Sequence, residues 1–374
     1  MIEDIFRVTV ATKDGAYFLT PEEGREKWEL SKPFLPEENV NKVVDDGQEN
    51  LFAATLSEGV FKSRDGGKTW KPASRGLHVR KVWEVAADPH RHGTIYAGTQ
   101  YGHLFRSTNS GDSWDEVTSL HDAPNRLEWG IDWGFRTTGL ALHTIRFDMN
   151  DPKKIYLVAS GNGAYRSDDE GETWKSLKSG QNTSCSIDPS KQISSAPSGA
   201  STEEKVRTHL AELHSCTHKI VVSPKDGRLY QQNHCGVYFS DSHGDRWKDV
   251  SINAENRFGF PVDVVETTST NVFVIPVPDN APECKDHNAC IQGQLSVYGT
   301  SDGGKNWKRY TNGLPERVHT NVLRDSLAHD NLREPGLYFG TTVGNVFFSE
   351  DLGNSWRRIA SGLGRIQGIN VTVA

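Results

Sequence analysis

One eight-residue phrase occurs six times along this chain and restricts the possible folds more than any other feature. Each copy combines a leading serine or threonine, a short polar residue two positions later, a glycine and a closing tryptophan. The copies are SRDGGKTW (63–70), STNSGDSW (107–114), SDDEGETW (167–174), SDSHGDRW (240–247), TSDGGKNW (300–307) and SEDLGNSW (349–356). Aspartate accepts hydrogen bonds from nearby backbone amides and glycine takes a positive φ without steric cost, so each copy predicts a tight turn. Because repeats stack into one continuous body, we expect a single domain over residues 1–374.

Each predicted turn is flanked by strands. Short apolar segments precede the copies, as in GVFKS, HLFRS, GAYRS, GVYFS, SVYGT and NVFFS, and the closing tryptophan begins the next strand. Two further strands lie upstream in each repeat, as in KVWEVAADPHRHGTIYAGT (81–99). Four antiparallel strands per repeat are the pattern of a propeller blade.

The pattern S-x-D-x-G-x-T-W resembles the Asp-box, or BNR, repeat of sialidase-like and sortilin-like β-propellers and of unassigned bacterial BNR-like repeat proteins. The resemblance implies that the box is structural and lies away from the active face, and this is carried over to Asp65, Asp169, Asp302 and Asp351. The other two copies have Asn109 and Ser242 in the aspartate position, which also favours a structural turn. The resemblance does not imply one activity, because these proteins share none.

The number of blades follows from a seventh, degenerate copy, TPEEGREKW, which ends at Trp28. Its repeat has only three strands, FRVTVAT, AYFLT and KWELS, so the C-terminal IQGINVTVA (366–374) is expected to supply the missing inner strand. The predicted fold is therefore an all-β, seven-bladed propeller of four-stranded antiparallel blades. Pairing of the N- and C-terminal strands closes it and leaves no open sheet edge. Six or eight blades are the alternatives.

Three insertions interrupt the repeats at about 118–139, 178–214 and 277–294. In a propeller these connections share one face and the box turns lie on the other, so the insertions indicate the functional face. The second insertion contains STEEKVRTHLAELHS, which predicts one short amphipathic helix with a capping box. This helix could be a fixed cap or a mobile lid.

Histidines occupy matching positions in neighbouring repeats. Aligned on the last residue of each inner strand, Trp83, His143 and His218 fall at the same position, and His234 ends a second strand near the same face. Converging imidazoles suit zinc, iron, copper or manganese, with Cys216 and Cys235 as further soft ligands. The predicted metal ligands are His143, His218 and His234. The alternatives are a catalytic or ligand-binding role without metal and a purely structural role.

The loop NRLEWGIDWGFR (125–136) places two carboxylates among indole rings. Glu128 and Asp132 could serve as acid and base, and Trp129 and Trp133 could stack on sugar rings. The alternative is a solvated loop anchored by tryptophan. Three further polar residues complete the predicted site: Arg324 as a catalytic residue, and Asn233 and Asn321 as ligand-binding residues together with Trp83.

Composition limits the partners. The net charge of −7 disfavours a nucleic-acid backbone or an anionic membrane. No stretch approaches the ~18 apolar residues of a membrane span, and MIEDIFRVTVATKDG lacks the pattern of a signal peptide, so a cytoplasmic location is expected. The five cysteines favour an intracellular protein over a disulfide scaffold, although Cys284 and Cys290 could form a local disulfide.

The predicted function is a hydrolase- or lyase-type enzyme with a histidine-lined pocket at the mouth of the central channel. Its ligand would be small and polar or carbohydrate-like, and a transition metal could assist. The alternative is a non-catalytic scaffold or assembly factor that binds a protein or a glycan. Sialidase activity is disfavoured, because the resemblance implies an Arg-Ile-Pro motif near the first box and the first strand reads FRVT.

Overall fold

The computed structural model describes residues 6–124, 126, 140–160, 163–179, 181, 216–253, 256–278, 281–282 and 290–373. These residues form seven four-stranded antiparallel sheets arranged in a ring, which confirms the predicted seven-bladed propeller. Blade 1 contains β1 (Phe6–Thr12), β2 (Gly15–Pro21) and β3 (Trp28–Leu30), and blade 2 contains β4 (Val40–Asp45), β5 (Leu51–Thr55), β6 (Val60–Ser63) and β7 (Lys71–Pro72). Blade 3 contains β8 (Val82–Ala87), β9 (Ile95–Thr99), β10 (Leu104–Ser107) and β11 (Asp115–Glu116). Blade 4 contains β12 (Leu142–Asp148), β13 (Asp151–Ala159), β14 (Gly163–Ser167) and β15 (Lys175–Ser176).

The last three blades follow the same order from inner to outer strand. Blade 5 contains β16 (Thr217–Val222), β17 (Leu229–Asn233), β18 (Gly236–Ser240) and β19 (Lys248–Asp249). Blade 6 contains β20 (Gly259–Glu266), β21 (Thr270–Pro276), β23 (Val297–Thr300) and β24 (Lys308–Tyr310). Blade 7 contains β26 (Leu327–His329), β27 (Leu337–Gly340), β28 (Val346–Ser349) and β29 (Arg357–Ala360). An additional two-stranded sheet pairs β22 (Ile291–Gly293) with β25 (Val318–Thr320). Short 3₁₀ helices span Glu23–Arg25 and Thr118–Asp122. Within the described ranges, no helix is both long and apolar enough to cross a membrane.

The two ends of the chain close the ring. The last strand, β30 (Ile366–Val373), pairs antiparallel with β1 as the inner strand of blade 1, from Phe6 opposite Val373 to Thr12 opposite Ile366. The predicted closure is therefore confirmed, and the open edge that a three-stranded first blade would present is covered.

Each box turn is stabilised by hydrogen bonds between its own side chains and backbone amides. In the first box, Asp65 accepts hydrogen bonds from the amide and the hydroxyl of Thr69 at 2.9 and 2.6 Å. The Ser63 hydroxyl donates to Asp65 at 2.8 Å and accepts from the Gly67 amide at 2.8 Å. Gly67 has a φ of 87°, which only glycine adopts without strain. All of these bonds are local, so the eight-residue phrase is sufficient to specify the turn.

The box tryptophans connect neighbouring blades. The indole nitrogen of Trp114 donates to the Ala73 carbonyl at 2.7 Å, and that of Trp247 donates to the Leu177 carbonyl at 2.8 Å. Each acceptor follows the outer strand of the preceding blade. The core is therefore distributed between adjacent blades, and the repeated tryptophan is one of its main components.

We call the end of the propeller that carries the six boxes the box face, and the opposite end, which carries residues 118–124, 277–278 and 290–296, the insertion face. The third insertion joins β21 to β23, as expected, and adds β22. The first insertion begins with the 3₁₀ helix Thr118–Asp122, whose Leu120 is buried. The helix predicted within 178–214 lies outside the described residues.

Candidate functional site

The inner strands of four successive blades carry the same irregularity. Near the start of β4, β8, β12 and β16, two residues face one residue of the second strand. The residues inside these bulges are Asn41, Trp83, His143 and His218. Bulges change the direction of a side chain, so four different side chains occupy one level of the inner strands, near the insertion face. The sequence alignment placed three of them at this common position.

Trp83, His143 and Arg324 lie at this mouth. The Trp83 indole donates to the Gln100 side-chain oxygen at 2.6 Å, and the guanidinium carbon of Arg324 is 5.8 Å from its ring centroid. The Nδ1 atom of His143 lies 3.1 Å from the Thr144 hydroxyl. Burial, together with the charges of Arg324 and His218, lowers the pKa of His143 well below its ordinary value. His143 is therefore a neutral imidazole near a cation.

A second group of side chains comes from blade 5. Cys216 precedes β16, His218 lies in its bulge, and His234 lies in the turn between β17 and β18. One ligand atom from each of the three residues lies within 4.8 Å of the others. Burial lowers the pKa of His218, which also hydrogen-bonds to Cys216, and burial lowers the pKa of His234 to about 4. The structure thus brings two of the predicted metal ligands together with Cys216, while His143 is not a member of this group.

Charged residues connect the blades at mid-height in the channel. Lys42 forms an ion pair with Glu84, and Arg146 reaches Glu84 at 3.3 Å and Asp325 at 3.5 Å. Lys219 lies 3.8 Å from Asp325. These five residues come from the inner strands of blades 2 to 5 and from the residue two positions before β26. The network therefore links the inner strands of four successive blades.

The two carboxylates of this network differ in their electrostatic environment. Burial raises the pKa of the fully buried Glu84, and Lys42 and Arg146 offset this only in part. Burial also opposes ionisation of Asp325, but Lys219, Lys42 and Arg146 outweigh it and lower its pKa. The pKa values of these two buried carboxyls are therefore displaced in opposite directions, that of Glu84 upward and that of Asp325 downward.

A cavity of about 400 Å³ lies toward the box face, and Lys42 and Arg146 of the network are part of its lining. Its wall includes turn residues that follow the inner strands, such as Pro89, Met149 and Pro224. Asp263 and His329 also line it and are joined by a hydrogen bond of 2.8 Å. None of the residues predicted from the sequence for the site lines this cavity.

The remaining predicted residues divide into three groups. The amide oxygen of Asn233 accepts from the Cys235 and Gly236 amides at 2.8 and 3.0 Å, so it shapes the turn that carries His234. Asn321 is buried and accepts from the Val322 amide at 2.8 Å. The loop residues Glu128, Trp129, Asp132 and Trp133 lie outside the described residues.

The cysteines require a correction. Cys235 and Cys290 each take part in a disulfide bond, so Cys235 cannot be the soft metal ligand that the sequence suggested. The sequence had allowed for a disulfide at Cys290 but not for one at Cys235. Cys284, the partner suggested for Cys290, lies outside the described residues. Disulfides persist mainly in oxidising compartments, and the cytoplasmic location stays a prediction.

Sequence reasoning missed Lys42, Glu84, Arg146, Lys219 and Asp325. The first four each lie inside a buried inner strand next to at least one apolar residue, in VNKVVD, VWEVAA, LHTIRFD and THKIVV. Charged residues are almost never buried without a partner, so this pattern was an available signal for a polar channel.

Comparisons with known proteins place the fold. A model of the BNR/Asp-box repeat family matches residues 61–72. Xyloglucanase Xgh74A of Acetivibrio thermocellus is 26% identical over 281 residues, covering 69% of this chain and 30% of the relative. Oligoxyloglucan-reducing end-specific xyloglucanase of Emericella nidulans is 21% identical over 263 residues, covering 66% of this chain and 30% of the relative. The chain thus spans less than a third of the length of these curated relatives.

Solved structures show the same architecture. An ancestral GH74 enzyme superposes with a TM-score of 0.56 at 17% identity, covering 87% of this chain and 39% of that one. A structure of YCF48 bound to D1 peptide superposes with a TM-score of 0.52 at 12% identity, covering 96% of this chain and 85% of that one. The six box turns, the ring of seven blades and the matching family model identify the chain as a BNR-repeat (Asp-box) β-propeller.

Proposed function

We propose that this protein is a carbohydrate hydrolase that cleaves glycosidic bonds at the insertion-face mouth of its channel. The observation that carries the proposal is the pair of buried carboxylates, Glu84 and Asp325, which share Arg146 and have pKa values displaced in opposite directions. Glycoside hydrolysis needs one protonated and one ionised carboxyl. Glu84 would serve as the acid and Asp325 as the base or nucleophile.

The surroundings of the pair suit a sugar. Among the described residues, neither carboxylate oxygen of Asp325 accepts a hydrogen bond, and Arg324 Nε donates none. Buried groups left in this state favour a ligand or water that completes them. The Trp83 ring beside Arg324 adds an apolar face at the same mouth, where a sugar ring can stack. The neutral His143 adds a polar group that orients the ligand.

The comparisons support a glucan as the substrate. Two of the curated relatives are xyloglucanases, and the similarity to each covers about two thirds of this chain. Because the chain accounts for 30% of each relative, the substrate is a proposal for this propeller rather than an inherited property. Xyloglucan and its unbranched β-glucan backbone are the first substrates to test.

The test measures release of reducing ends from xyloglucan and unbranched β-glucan by the full chain. Glu84→Gln and Asp325→Asn keep the size of each side chain and remove its acid–base chemistry. Each is expected to lower kcat by at least ~100-fold. Asp263→Asn is the matched control, because Asp263 is a buried carboxylate that lines the box-face cavity instead. This control should keep the activity of the unmodified protein.

Thermal melting of each variant separates lost chemistry from lost folding. If the well-folded Glu84→Gln and Asp325→Asn variants keep full activity, the carboxylate pair is not the catalytic pair. If the unmodified protein cleaves none of these glucans, the proposed substrate class is wrong.

A non-catalytic scaffold is the second candidate. It is favoured by the likeness to YCF48 bound to D1 peptide, in which this chain covers 85% of a whole propeller protein. A scaffold of this kind would bind a peptide or a glycan without turnover. Calorimetric binding of intact xyloglucan, with no product formed over a day, would favour this candidate over the hydrolase.

A further inference from the structure

The group formed by Cys216, His218 and His234 has no part in the proposed hydrolysis. It lies at the insertion-face end of blade 5, where the start of the inner strand meets the turn after the second strand. Each residue offers one ligand atom, and the three atoms lie within 4.8 Å of one another. Thiolate and imidazole are the ligands that zinc prefers in proteins.

The orientation of His218 is already fixed. Its Nδ1 atom is hydrogen-bonded to the backbone carbonyl of Gly259, so Nδ1 carries the proton and Nε2 keeps the lone pair. Metal-binding histidines are held in this way by a carbonyl or carboxylate on the second nitrogen. The Phe260 ring stacks on His218 at 4.5 Å and 21°, which restricts the imidazole further.

The turn that carries His234 is constrained as well. The amide oxygen of Asn233 accepts from two backbone amides within the turn, and Cys235 is disulfide-bonded. The centroids of the His218 and His234 rings are 4.6 Å apart, and the Phe258 ring packs edge-on against both. The imidazoles of His218 and His234 therefore lie against each other beside the Phe258 ring, and each is held in place by separate contacts.

We propose that Cys216, His218 and His234 bind one zinc ion through the Cys216 thiolate and an imidazole nitrogen of each histidine, with the fourth position open to water or a ligand. In tetrahedral zinc sites with bonds of about 2.0–2.3 Å, neighbouring ligand atoms lie about 3.3–3.8 Å apart. Because the three ligand atoms lie within 4.8 Å of one another, the side chains need to close by at most about 1–1.5 Å. Three protein ligands with an open position are typical of sites that activate water or hold an exchangeable ligand.

A second group in the described residues, His78, His103 and Glu116, is less suited to zinc. The Oε1 atom of Glu116 already contacts His103 at 2.6 Å and His121 at 2.8 Å, so this carboxylate is occupied by hydrogen bonds. The His78 side chain is also mostly exposed. This group provides the matched control, because it contains histidines at similar spacing without a thiol.

The experiment measures metal binding by the full chain after treatment with a chelator. Zinc is titrated against a chromophoric competitor, and cobalt is then added as a spectroscopic probe. The unmodified protein is expected to bind one equivalent of each metal, and its cobalt form should have the charge-transfer band of a thiolate ligand. Cys216→Ser should abolish that band and weaken zinc binding by at least ~100-fold, and His234→Ala should weaken binding similarly. His103→Ala should bind zinc as the unmodified protein does.

Melting curves with and without zinc supply a second measurement. Zinc should raise the melting temperature of the unmodified protein and of His103→Ala but not that of Cys216→Ser. The proposal is overturned if the unmodified protein binds no zinc, if Cys216→Ser binds it equally well, or if only His103→Ala loses it. The zinc site is argued from its own geometry, so a negative zinc result would not change the interpretation of the glucan assays.

Discussion

The box turns and the channel mouth use repetition in opposite ways. The boxes keep one geometry in six of the seven blades, even where the residue at the aspartate position differs. The bulges at the mouth keep one backbone position in four blades and present Asn41, Trp83, His143 and His218. Different side chains that make the same hydrogen bonds at equivalent positions indicate a scaffold. Different side chains that make different contacts at equivalent positions indicate a site.

The box geometry is insensitive to its central residue. The first serine of the box accepts from the glycine amide at 2.8 Å in the box of Asp65, 2.8 Å in that of Asn109 and 2.9 Å in that of Ser242. The central side chain accepts from the amide four residues later at 2.9, 2.9 and 3.1 Å respectively. Aspartate, asparagine and serine side chains thus form the same turn. A carboxylate with a catalytic role could not be replaced in this way, so the central residue of the box is structural.

The largest expected difference between the two regions is in the tryptophans. Trp247, a box residue that is 3% exposed, packs between blades and donates to the Leu177 carbonyl. Trp247→Ala should reduce the free energy of unfolding by about 3–5 kcal/mol, because it leaves a cavity and an unpaired carbonyl. Trp83→Ala, at the partly exposed mouth, should cost clearly less and should weaken glucan binding. Guanidinium denaturation measures the first effect and calorimetry the second; equal losses of stability would remove the distinction.

A smaller effect is expected at the centre of the box. Asp65→Ala removes the bonds to Ser63 and to Thr69 and should lower the melting temperature by a few degrees. Asp65→Asn should stay close to the unmodified protein, because Asn109 forms the same turn in the next blade. Activity per folded molecule should be unchanged in both variants. A stable but inactive Asp65→Ala protein would show that the box is part of the site.

The same contrast explains what the sequence could predict. The blades, their number and the closing strand follow from contacts that are local or that repeat, such as the bonds of Asp65 within its own turn. The channel network joins Lys42 to Glu84 and Glu84 to Arg146 across 42 and 62 positions, and no local pattern specifies those pairs. The charged residue inside each of the four inner strands was the sequence feature that indicated the network.

The histidines lie between these cases. Alignment of the inner strands placed His143 and His218 at equivalent positions of neighbouring blades, but it could not show which other side chains each of them contacts. The structure instead groups His218 with Cys216 and His234, which belong to the same blade. Asn233 was expected to bind ligand, but its side chain closes a turn, as short polar residues commonly do.

The smallest expected effect is the response of the boxes to acid. Hydrogen bonds from Thr69 and Ser63 lower the pKa of Asp65 to about 2, and bonds from Asn306 and Thr300 lower that of Asp302 to about 2. Because these values lie below the ordinary aspartate pKa of about 3.9, the stabilisation is fully present above about pH 4 and is lost as the pH falls toward 2. The effect is small, since both carboxylates are exposed and screened by solvent.

The double variant Asp65→Asn/Asp302→Asn tests this response, because its amides form the turn without titrating. The unmodified protein should melt slightly higher than the variant at pH 7, and the gap should narrow between about pH 4 and 2. Scanning calorimetry at several pH values measures the gap, and all other carboxylates titrate equally in both proteins. A difference in melting temperature that stays constant down to pH 2 would mean that the negative charge of Asp65 and Asp302 does not stabilise the turns. Their hydrogen-bonding geometry alone would then matter, as it does in the boxes of Asn109 and Ser242.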